Sequence, residues 1–425
     1  MKFFESEVFV YKNNKLYCEQ IPVDDVTESV GTPVYLYSKN YFVSRYREFA
    51  DAFKEINHSV YYSVKSNFNL NVIKIFYDRG SSVDVNSEGE LFRALKAGVN
   101  PGKIIFTGVG KTRDEIKSAI VQNVKLIKAE SLQEVYLIDK IAGDAKKKVE
   151  IAIRVNPDVD PKTHPYISTG LLENKFGVHS GQAVDLFLEC SKLKNIELTG
   201  IDMHIGSQIL SIDPYSEAVD KLSEIYFELK SKKIKLKHFD VGGGLGITYN
   251  DENPFSIRDF AKVLIPKFQK LDCDIWFEPG RYLTANGGIL LTKILYEKRN
   301  DNKNFIIVDA AMTDLIRPSI YGAYHHIQPV ELNEKRNDEI VADIVGPVCE
   351  SGDFLAKSRG ITETKPGELL AVMSAGAYGM TMASNYNARR KAPEVIVDGD
   401  KFFVTRGRES LEHLLFDEDI ITALH

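Results

Sequence analysis

The stretch Ser59-Val60-Tyr61-Tyr62-Ser63-Val64-Lys65 places a lysine at the end of a short apolar run. A run of this length and character is typical of a buried parallel strand. Lysine is rarely buried without a partner, and an amine that is desolvated at a strand end can form a Schiff base. Taken alone, such a lysine is more often a surface strand end, so the rest of the chain has to decide between the two interpretations.

Seven further apolar runs follow the one at Val60–Val64, and helix-like segments lie between them. The runs are Ser82–Val85, Lys103–Phe106, Val124–Ile127, Val149–Val155, Leu198–His204, Lys237–Val241 and Asp274–Phe277. The intervening helical patterns include Glu88–Ala97, Arg113–Val121, Ala183–Leu193 and Tyr215–Lys230. Eight strand-then-helix units predict an α/β fold with one parallel (β/α)8 barrel of the TIM type, rather than an open doubly wound sheet.

The two ends of the chain have a different pattern, in which strand-like runs follow one another with few helices. These runs are Phe9–Tyr11, Val34–Tyr37, Leu290–Tyr296, Phe305–Asp309, Ile340–Val345, Leu369–Met373, Glu394–Val397 and Phe402–Val404. We therefore predict the barrel over residues 39–284. Residues 1–38 and 285–425 are predicted to form a second, β-rich domain of sandwich or barrel type.

Composition excludes several classes of function. The chain has 425 residues, of which 44% are hydrophobic and 27% charged, and this globular balance is enough for two domains. A net charge of -6 indicates no basic face for nucleic acid or an acidic membrane. The charged N-terminus lacks a signal-peptide core, and no run of about 20 apolar residues predicts a membrane span. Four widely spaced cysteines predict free thiols in a reducing cytoplasm and no metal site.

Each predicted barrel strand ends in residues that a strand core would not favour. These residues are Lys65, Asp84, Thr107, Glu130, Arg154, Asn156, His204, Ser207, Gln208, Gly242, Gly243, Gly244, Glu278 and Arg281. The carboxyl ends of barrel strands converge on one mouth, where active sites are built. The series therefore predicts a functional site at that mouth.

Gly242-Gly243-Gly244-Leu245-Gly246 follows the seventh predicted strand. Glycines let backbone N–H groups approach an anion closely, and barrels commonly bind phosphate in the loops after strands 7 and 8. An earlier segment, Thr107-Gly108-Val109-Gly110-Lys111-Thr112, looks like the end of a nucleotide-binding P-loop. That motif needs a glycine five residues before Gly110, where Ile105 stands, so we do not expect nucleotide binding there.

Two more motifs supply groups for a planar cofactor. Glu278-Pro279-Gly280-Arg281 closes the eighth strand, and its carboxylate can pair with a protonated pyridine nitrogen. His204-Ile205-Gly206-Ser207-Gln208 follows the sixth strand, and its histidine can stack on a flat ring. In isolation, these residues are also consistent with a surface ion pair and an ordinary histidine. Together with Lys65 and the glycine loop, they indicate a pyridoxal phosphate site.

The same motifs resemble those of the alanine-racemase-like, fold-type III decarboxylases that depend on pyridoxal phosphate. The similarity rests on Tyr62–Asn67, His204–Gln208, Gly242–Gly246 and Glu278–Arg281. Further motifs resemble the diaminopimelate decarboxylase family, in order along about residues 30–405. They are Ser168-Thr169-Gly170 with Lys175-Phe176-Gly177, Arg317–His325, Gly346–Asp353 and Gly376-Ala377-Tyr378-Gly379.

The resemblance implies roles for the matching residues. Pyridoxal 5'-phosphate would be bound by Lys65, Asp84, His204, Ser207, Gly243, Gly244, Glu278, Gly280, Arg281 and Tyr378. The catalytic residues would be Lys65 as the Schiff-base lysine, His204 on the ring, Glu278 at its nitrogen and Cys349 as proton donor. The substrate would be bound by Arg281, Arg317, Tyr321, Glu350 and Tyr378. The family also implies a homodimer with its sites at the interface, where Cys349 and Glu350 come from the neighbouring subunit.

The implied reaction is the decarboxylation of meso-2,6-diaminopimelate to L-lysine and CO2, the last step of lysine biosynthesis by the diaminopimelate route. Arginines recognise carboxylates, and one glutamate can bind an ammonium, so Arg281 and Arg317 with Glu350 fit a zwitterionic amino-acid end. Three alternatives stay open: a decarboxylase of another basic amino acid or carboxylated polyamine, an amino-acid racemase, and a non-catalytic pyridoxal-binding regulator. The Arg317–Tyr321 motif disfavours the first alternative. Racemases of this kind place an arginine against the pyridine nitrogen, so Glu278 disfavours the second. Lys65, Cys349 and Glu350 together disfavour the third.

Overall fold

A computed structural model describes residues 3–161, 163, 169–170, 174–300, 303–333, 336, 338–421 and 424. Ser168, which belongs to one of the family-like motifs, lies outside these residues. The chain divides into two compact units: a central unit, Phe42–Leu283, and an end unit formed by Met1–Tyr41 with Thr284–His425.

Secondary structure within the described residues alternates in the central unit and is mostly extended in the end unit. The strands are β1 (Phe9–Lys12), β2 (Lys15–Cys18), β3 (Ile21–Pro22), β4 (Val34–Ser38), β5 (His58–Ser63), β6 (Ser82–Val85), β7 (Ile104–Phe106), β8 (Leu126–Ala129), β9 (Val149–Asn156), β10 (Val178–His179), β11 (Ile196–Asp202), β12 (His238–Asp240), β13 (Asp274–Phe277), β14 (Gly288–Asn300), β15 (Lys303–Val308), β16 (Ile327–Pro329), β17 (Glu339–Val345), β18 (Phe354–Thr362), β19 (Leu369–Val372), β20 (Glu394–Asp398) and β21 (Lys401–Arg406). The helices are α1 (Val23–Val30), α2 (Lys39–Ala52), α3 (Leu70–Tyr77), α4 (Glu88–Lys96), α5 (Arg113–Gln122), α6 (Leu132–Asp144), α7 (Ser180–Cys190), α8 (Asp213–Ser231), α9 (Ile257–Phe268), α10 (Arg281–Thr284) and α11 (Arg317–Tyr321).

The central unit is a closed parallel barrel. Its strands pair in the order β5-β6-β7-β8-β9-β11-β12-β13, and β13 pairs with β5 to close the ring. The short strand β10 pairs in parallel with Val155 and Asn156 at the carboxyl end of β9. A buried cluster in this unit consists of Tyr61, Ile105, Leu126, Ala152 and Trp276. The predicted (β/α)8 barrel is confirmed.

Helix starts in the barrel follow local capping rules. The Thr112 side chain accepts the backbone N–H of Glu115, and the Glu115 side chain accepts the backbone N–H of Thr112. This capping box satisfies backbone donors at the start of α5. The segment that looks like the end of a P-loop therefore leads into an ordinary capped helix.

The end unit is rich in β-structure, as predicted. Its larger sheet is mixed and has the strand path β18-β17-β15-β14-β4-β20-β21, with β19 joining β14 to β16. The pairs β15–β17 and β4–β20 are parallel, whereas β14 is antiparallel to each of its neighbours. A separate three-stranded sheet contains β1, β2 and β3. Chain segments from both ends thus share one sheet through β4.

Two barrel strands are displaced as a whole by two residues from the sequence prediction. Strand β8 spans Leu126–Ala129 instead of Val124–Ile127, so Lys128 lies inside the strand. Strand β11 spans Ile196–Asp202 instead of Leu198–His204. The apolar pattern ends before a lysine, but here the lysine is buried with acidic partners. Among the described residues, no helix is both long and apolar enough to cross a lipid bilayer.

Candidate active site

The barrel places nine of the predicted cofactor residues at or directly after the carboxyl ends of its strands, or in the loops that follow. They are Lys65, Asp84, His204, Ser207, Gly243, Gly244, Glu278, Gly280 and Arg281. Lys65 lies in a single 3₁₀ turn, Val64–Ser66, directly after β5. Burial lowers the pKa of His204 and raises that of Glu90, and the positive charge of Lys65 lowers the pKa of both groups.

His204 is held by the glycine loop. Its Nδ1 accepts the backbone N–H of Gly243 at 3.2 Å, which leaves Nε2 as the protonated nitrogen of a neutral ring. Desolvation lowers the pKa of His204 well below its usual range, and the charges of Lys65 and Arg154 act in the same direction. A neutral imidazole with a fixed tautomer is suited to stacking on a flat ring.

The glycine loop is closely packed and has free backbone donors. A Cβ on Gly243 would lie 2.1 Å from the carbonyl oxygen of Glu278, and one on Gly244 would lie 2.2 Å from that of Gly206. Gly244 also has a φ of 104°, which favours glycine. Among the described residues, the backbone N–H groups of Gly244 and Leu245 form no hydrogen bond. Such unpaired donors make an anion site.

Arg281 binds residues of the two loops that follow β11 and β12. Its Nη2 donates to Ser207 Oγ at 2.9 Å, and its Nη1 donates to the Tyr249 hydroxyl at 2.5 Å. Close packing fixes the turn before it, because a Cβ on Gly280 would lie 3.0 Å from Cβ of Ser66. The side chains of Arg281 and Ser207 are thereby brought together, as expected for residues of one site.

A buried cluster of charged residues lies deeper in the barrel. Lys128 Nζ donates to Asp202 Oδ1 and Asp240 Oδ2, both at 2.7 Å, and to Glu278 Oε1. The register pairs Asp202 directly with Asp240 on neighbouring strands. Asp84 is also buried, and it accepts hydrogen bonds from Ser63 Oγ at 3.0 Å and Thr107 Oγ1 at 2.5 Å.

The electrostatics of this cluster are set by an excess of carboxylates. Burial alone would lower the pKa of Lys128, but the surrounding acids raise it well above its usual range. Burial and the neighbouring acids Asp240 and Asp84 raise the pKa of Glu278 well above normal, although Lys128 opposes this shift. Burial also raises the pKa of Asp240 to about 6. One lysine does not neutralise these acids, so a further cation next to Glu278 would be favourable.

The end unit carries the predicted substrate residues Arg317 and Tyr321 on the single-turn helix α11. Pro318 in its first turn has a fixed φ that suits a helix start. Arg317 is only 6% exposed. Its Nη1 donates to Nε2 of the buried His325 at 2.8 Å, and His325 Nδ1 donates to the Met373 carbonyl at 2.8 Å. This relay fixes both the histidine tautomer and the direction of the guanidinium.

The loop with Cys349 and Glu350 also belongs to the end unit, and both residues are exposed. The Asp353 carboxylate shapes the loop by accepting the N–H groups of Met312 at 2.6 Å and Val348 at 2.7 Å. The Cys349 N–H donates to Asn387 Oδ1 at 2.8 Å. Ser319 of α11 donates to the Gly352 carbonyl at 2.7 Å, which connects the helix of Arg317 to this loop.

Tyr378 has an unusual backbone conformation. Its φ is 56°, in the left-handed region that a bulky side chain rarely adopts. Its neighbour Gly376 is packed so closely that a Cβ would lie 2.0 Å from the Thr284 carbonyl oxygen. Strain of this kind is frequent in residues that contact ligands.

Comparisons with known proteins agree with this geometry. Residues 39–285 match the family model of the pyridoxal-dependent decarboxylase, pyridoxal binding domain. Diaminopimelate decarboxylase of Aquifex aeolicus is 46% identical over 406 residues, which are 95% of this chain and 96% of that protein. The chain belongs to the diaminopimelate decarboxylase family.

Solved structures of diaminopimelate decarboxylases have the same fold. The Helicobacter pylori enzyme in complex with L-lysine has a TM-score of 0.89 and 41% identity, with coverage of 93% of this chain and 98% of that chain. The M. jannaschii enzyme in complex with L-lysine has a TM-score of 0.93 and 33% identity, with 99% coverage of both chains. The similarity thus extends over both units of this diaminopimelate decarboxylase family member.

Several residues that contact predicted site residues were not predicted from the sequence. In the barrel they are Lys128, Asp202 and Asp240, which form the buried cluster with Glu278. In the end unit it is His325, which binds Arg317. A signal for the two aspartates was present, because each interrupts an apolar run that was predicted to be a buried strand. No local signal points to Lys128, since its partners are 74, 112 and 150 residues away.

Proposed function

We propose that this protein decarboxylates meso-2,6-diaminopimelate to L-lysine and CO2 with pyridoxal 5'-phosphate as cofactor, as a carboxy-lyase in lysine biosynthesis. Family membership over nearly the whole chain supports this function, since its relatives are diaminopimelate decarboxylases. We also propose a cytoplasmic homodimer. Its cofactor-binding domain would be residues 39–284, and its β-rich domain residues 1–38 and 285–425.

The observation that carries the choice of cofactor is the carboxylate of Glu278. Lys128 holds its Oε1, while Oε2 accepts no hydrogen bond from any described residue. A protonated ring nitrogen would supply the cation that this acid-rich cluster needs. The unpaired N–H groups of Gly244 and Leu245 suit the phosphate. These residues fit pyridoxal phosphate, and Lys65 is the amine that would hold it covalently.

The remaining roles follow from the chemistry of the side chains. When bound, the cofactor accepts the electron pair that CO2 leaves behind. Neutral His204 would lie against the ring face, and Ser207 would hold the phosphate with Gly243, Gly244, Gly280 and Arg281. Asp84 and Tyr378 would complete the cofactor contacts. Cys349 Sγ would deliver a proton to the carbon that has lost CO2.

The distal end of the substrate would be recognised by charge. Arg317, with Arg281 and Tyr321, would bind the distal carboxylate, and Glu350 the distal ammonium. The His325 relay supports this role, because it orients a buried guanidinium before any substrate arrives. Lysine and ornithine lack the second carboxylate and would make no charge-assisted contact with these arginines. Cys349 and Glu350 would act in the site of the neighbouring subunit.

The decisive experiment is CO2 release from meso-diaminopimelate, lysine, ornithine and arginine, measured side by side. Only diaminopimelate should react. Arg317→Ala should keep the pyridoxal absorbance but lower kcat/KM about 10- to 150-fold, since a charge-assisted contact is worth ~1.5–3 kcal/mol. Arg113→Ala, a matched change at a half-exposed arginine on α5, should have no effect.

Two results would contradict the proposal. Equal turnover of lysine or ornithine by the wild type would favour a general basic-amino-acid decarboxylase. Cofactor binding without CO2 release from any of the four substrates would favour a racemase or a non-catalytic regulator.

A further inference from the structure

Lys128 has no role in the proposed reaction, yet it is fully buried and contacts Glu278. Its ammonium lies among Asp202, Asp240 and Glu278, and the side chain is 0% exposed. Carboxylate oxygens of these three acids lie within 4.8 Å of one another, a spacing that a metal ion also accepts. Here each acid accepts a hydrogen bond from Lys128 instead, so the lysine ammonium is the cation of the cluster.

Such a cluster is a poor way to stabilise a barrel. Several buried charges have to be desolvated, and apolar side chains of similar volume often give equal or better stability. Stability alone therefore does not account for a lysine and three acids in the barrel interior. A role in the adjacent site accounts for them better.

The contacts show how Lys128 is linked to the site. Glu278 is fixed at both ends, because its Oε1 binds Lys128 and its backbone N–H donates to the Gly242 carbonyl at 2.8 Å. Asp240 bridges the lysine to the same loop, since Oδ2 binds Lys128 and Oδ1 accepts the Gly242 N–H at 2.8 Å. The lysine thus lies directly behind the carboxylate and the glycine loop.

We propose that Lys128 is a positioning residue that holds Glu278 through Oε1 and favours its ionised form beside Asp202 and Asp240, so that Oε2 can retain a proton on the ring nitrogen of pyridoxal phosphate. The identity of the cofactor rests on the proposed function. Without the lysine, the carboxylates would repel one another more strongly, and Glu278 would take up a proton more readily. A neutral acid would donate a hydrogen bond to the ring nitrogen instead of stabilising its protonated form.

The test replaces Lys128 by methionine, which removes the charge and keeps most of the volume. The ring nitrogen is observed directly by nitrogen NMR of protein loaded with ¹⁵N-pyridoxal phosphate. It should be protonated in the wild type and unprotonated in Lys128→Met. We expect kcat to fall about 10- to 100-fold with little change in KM. The reason is that Glu278, a preorganised electrostatic group, would no longer be held in its charged form by Lys128.

Lys125→Met is the matched control. Lys125 directly precedes the same strand, and its Nζ contacts Glu150 at 2.8 Å in a half-exposed pair. It should keep both the protonated ring nitrogen and the wild-type kcat. If Lys128→Met does not fold, Lys128→Met/Asp202→Asn removes one charge of each sign and keeps the net charge of the cluster. The ring nitrogen of this double variant should be unprotonated too.

The outcomes separate this inference from the proposed function. A protonated ring nitrogen and kcat within about 2-fold of wild type in a folded Lys128 variant would overturn the role of Lys128. A wild type that binds the cofactor but releases no CO2 from diaminopimelate would overturn the proposed function. In that case, the NMR comparison would still decide whether Lys128 controls the ring nitrogen.

Discussion

Gly243→Ala should disrupt the glycine loop through one added methyl group. The new Cβ would lie 2.1 Å from the Glu278 carbonyl oxygen and 3.0 Å from its carbon, whereas a Cβ essentially never lies within 3.0 Å of a non-bonded heavy atom of a distant residue. The loop and the strand end must therefore separate by about 0.9 Å. Because the obstacle is backbone, no side-chain rotation can relieve the clash.

The size of the effect follows from that displacement. Overpacking of this kind typically costs ~1–3 kcal/mol of unfolding free energy. A shift of about 1 Å in a positioning group can cost ~10²-fold in activity. The Gly243 N–H also donates to His204 Nδ1, so the shift would loosen the histidine as well. We expect a lower thermal midpoint and weaker binding of pyridoxal phosphate.

The assay is a fluorescence titration with pyridoxal phosphate alongside thermal unfolding. Gly110→Ala is the matched control, because a Cβ at Gly110 would meet no described residue within 4 Å. The control should match the wild type in both measurements. Wild-type cofactor affinity and midpoint in Gly243→Ala would refute the reasoning from loop packing.

Three further predictions concern other parts of the molecule. Borohydride reduction of the yellow, cofactor-loaded protein should leave the pyridoxyl group on Lys65 and nowhere else, which peptide mass spectrometry would reveal; a label on another lysine would contradict the assignment. Inactive Lys65→Ala and Cys349→Ala subunits, mixed after dissociation, should recover about a quarter of wild-type activity if the dimer shares its sites; verified heterodimers without activity would place both residues in the site of one chain. Burial raises the pKa of Asp314 to about 7, so the native state binds this proton more tightly than the unfolded chain, and stability should fall as pH rises from about 4 to about 7. Between pH 5 and 8, the unfolding free energy of Asp314→Asn should therefore fall less than that of the wild type. The difference should reach up to a few kcal/mol, at ~1.4 kcal/mol per pKa unit. Parallel profiles of thermal midpoint against pH for the two proteins would exclude this contribution.

Local patterns in the sequence were sufficient to predict the barrel and most of the residues at its mouth. Apolar runs of strand length alternate with helical patterns, and this alternation predicts a parallel barrel without knowledge of any contact. Lys65, Gly243 and Glu278 stand out because polar residues and glycine end those runs. The family is confirmed by the comparisons, whereas the individual residue roles stay predictions.

Tertiary structure alone decided which charges lie together. Lys128 follows an apolar run and looks like the exposed end of a strand, and only closure of the barrel places it next to Asp202, Asp240 and Glu278. His325 orients Arg317 across eight residues, yet its tautomer depends on the distant Met373 carbonyl. Sequence periodicity records which residues avoid water. It does not record which buried charges compensate one another, because that depends on distances set by strands far apart in the chain.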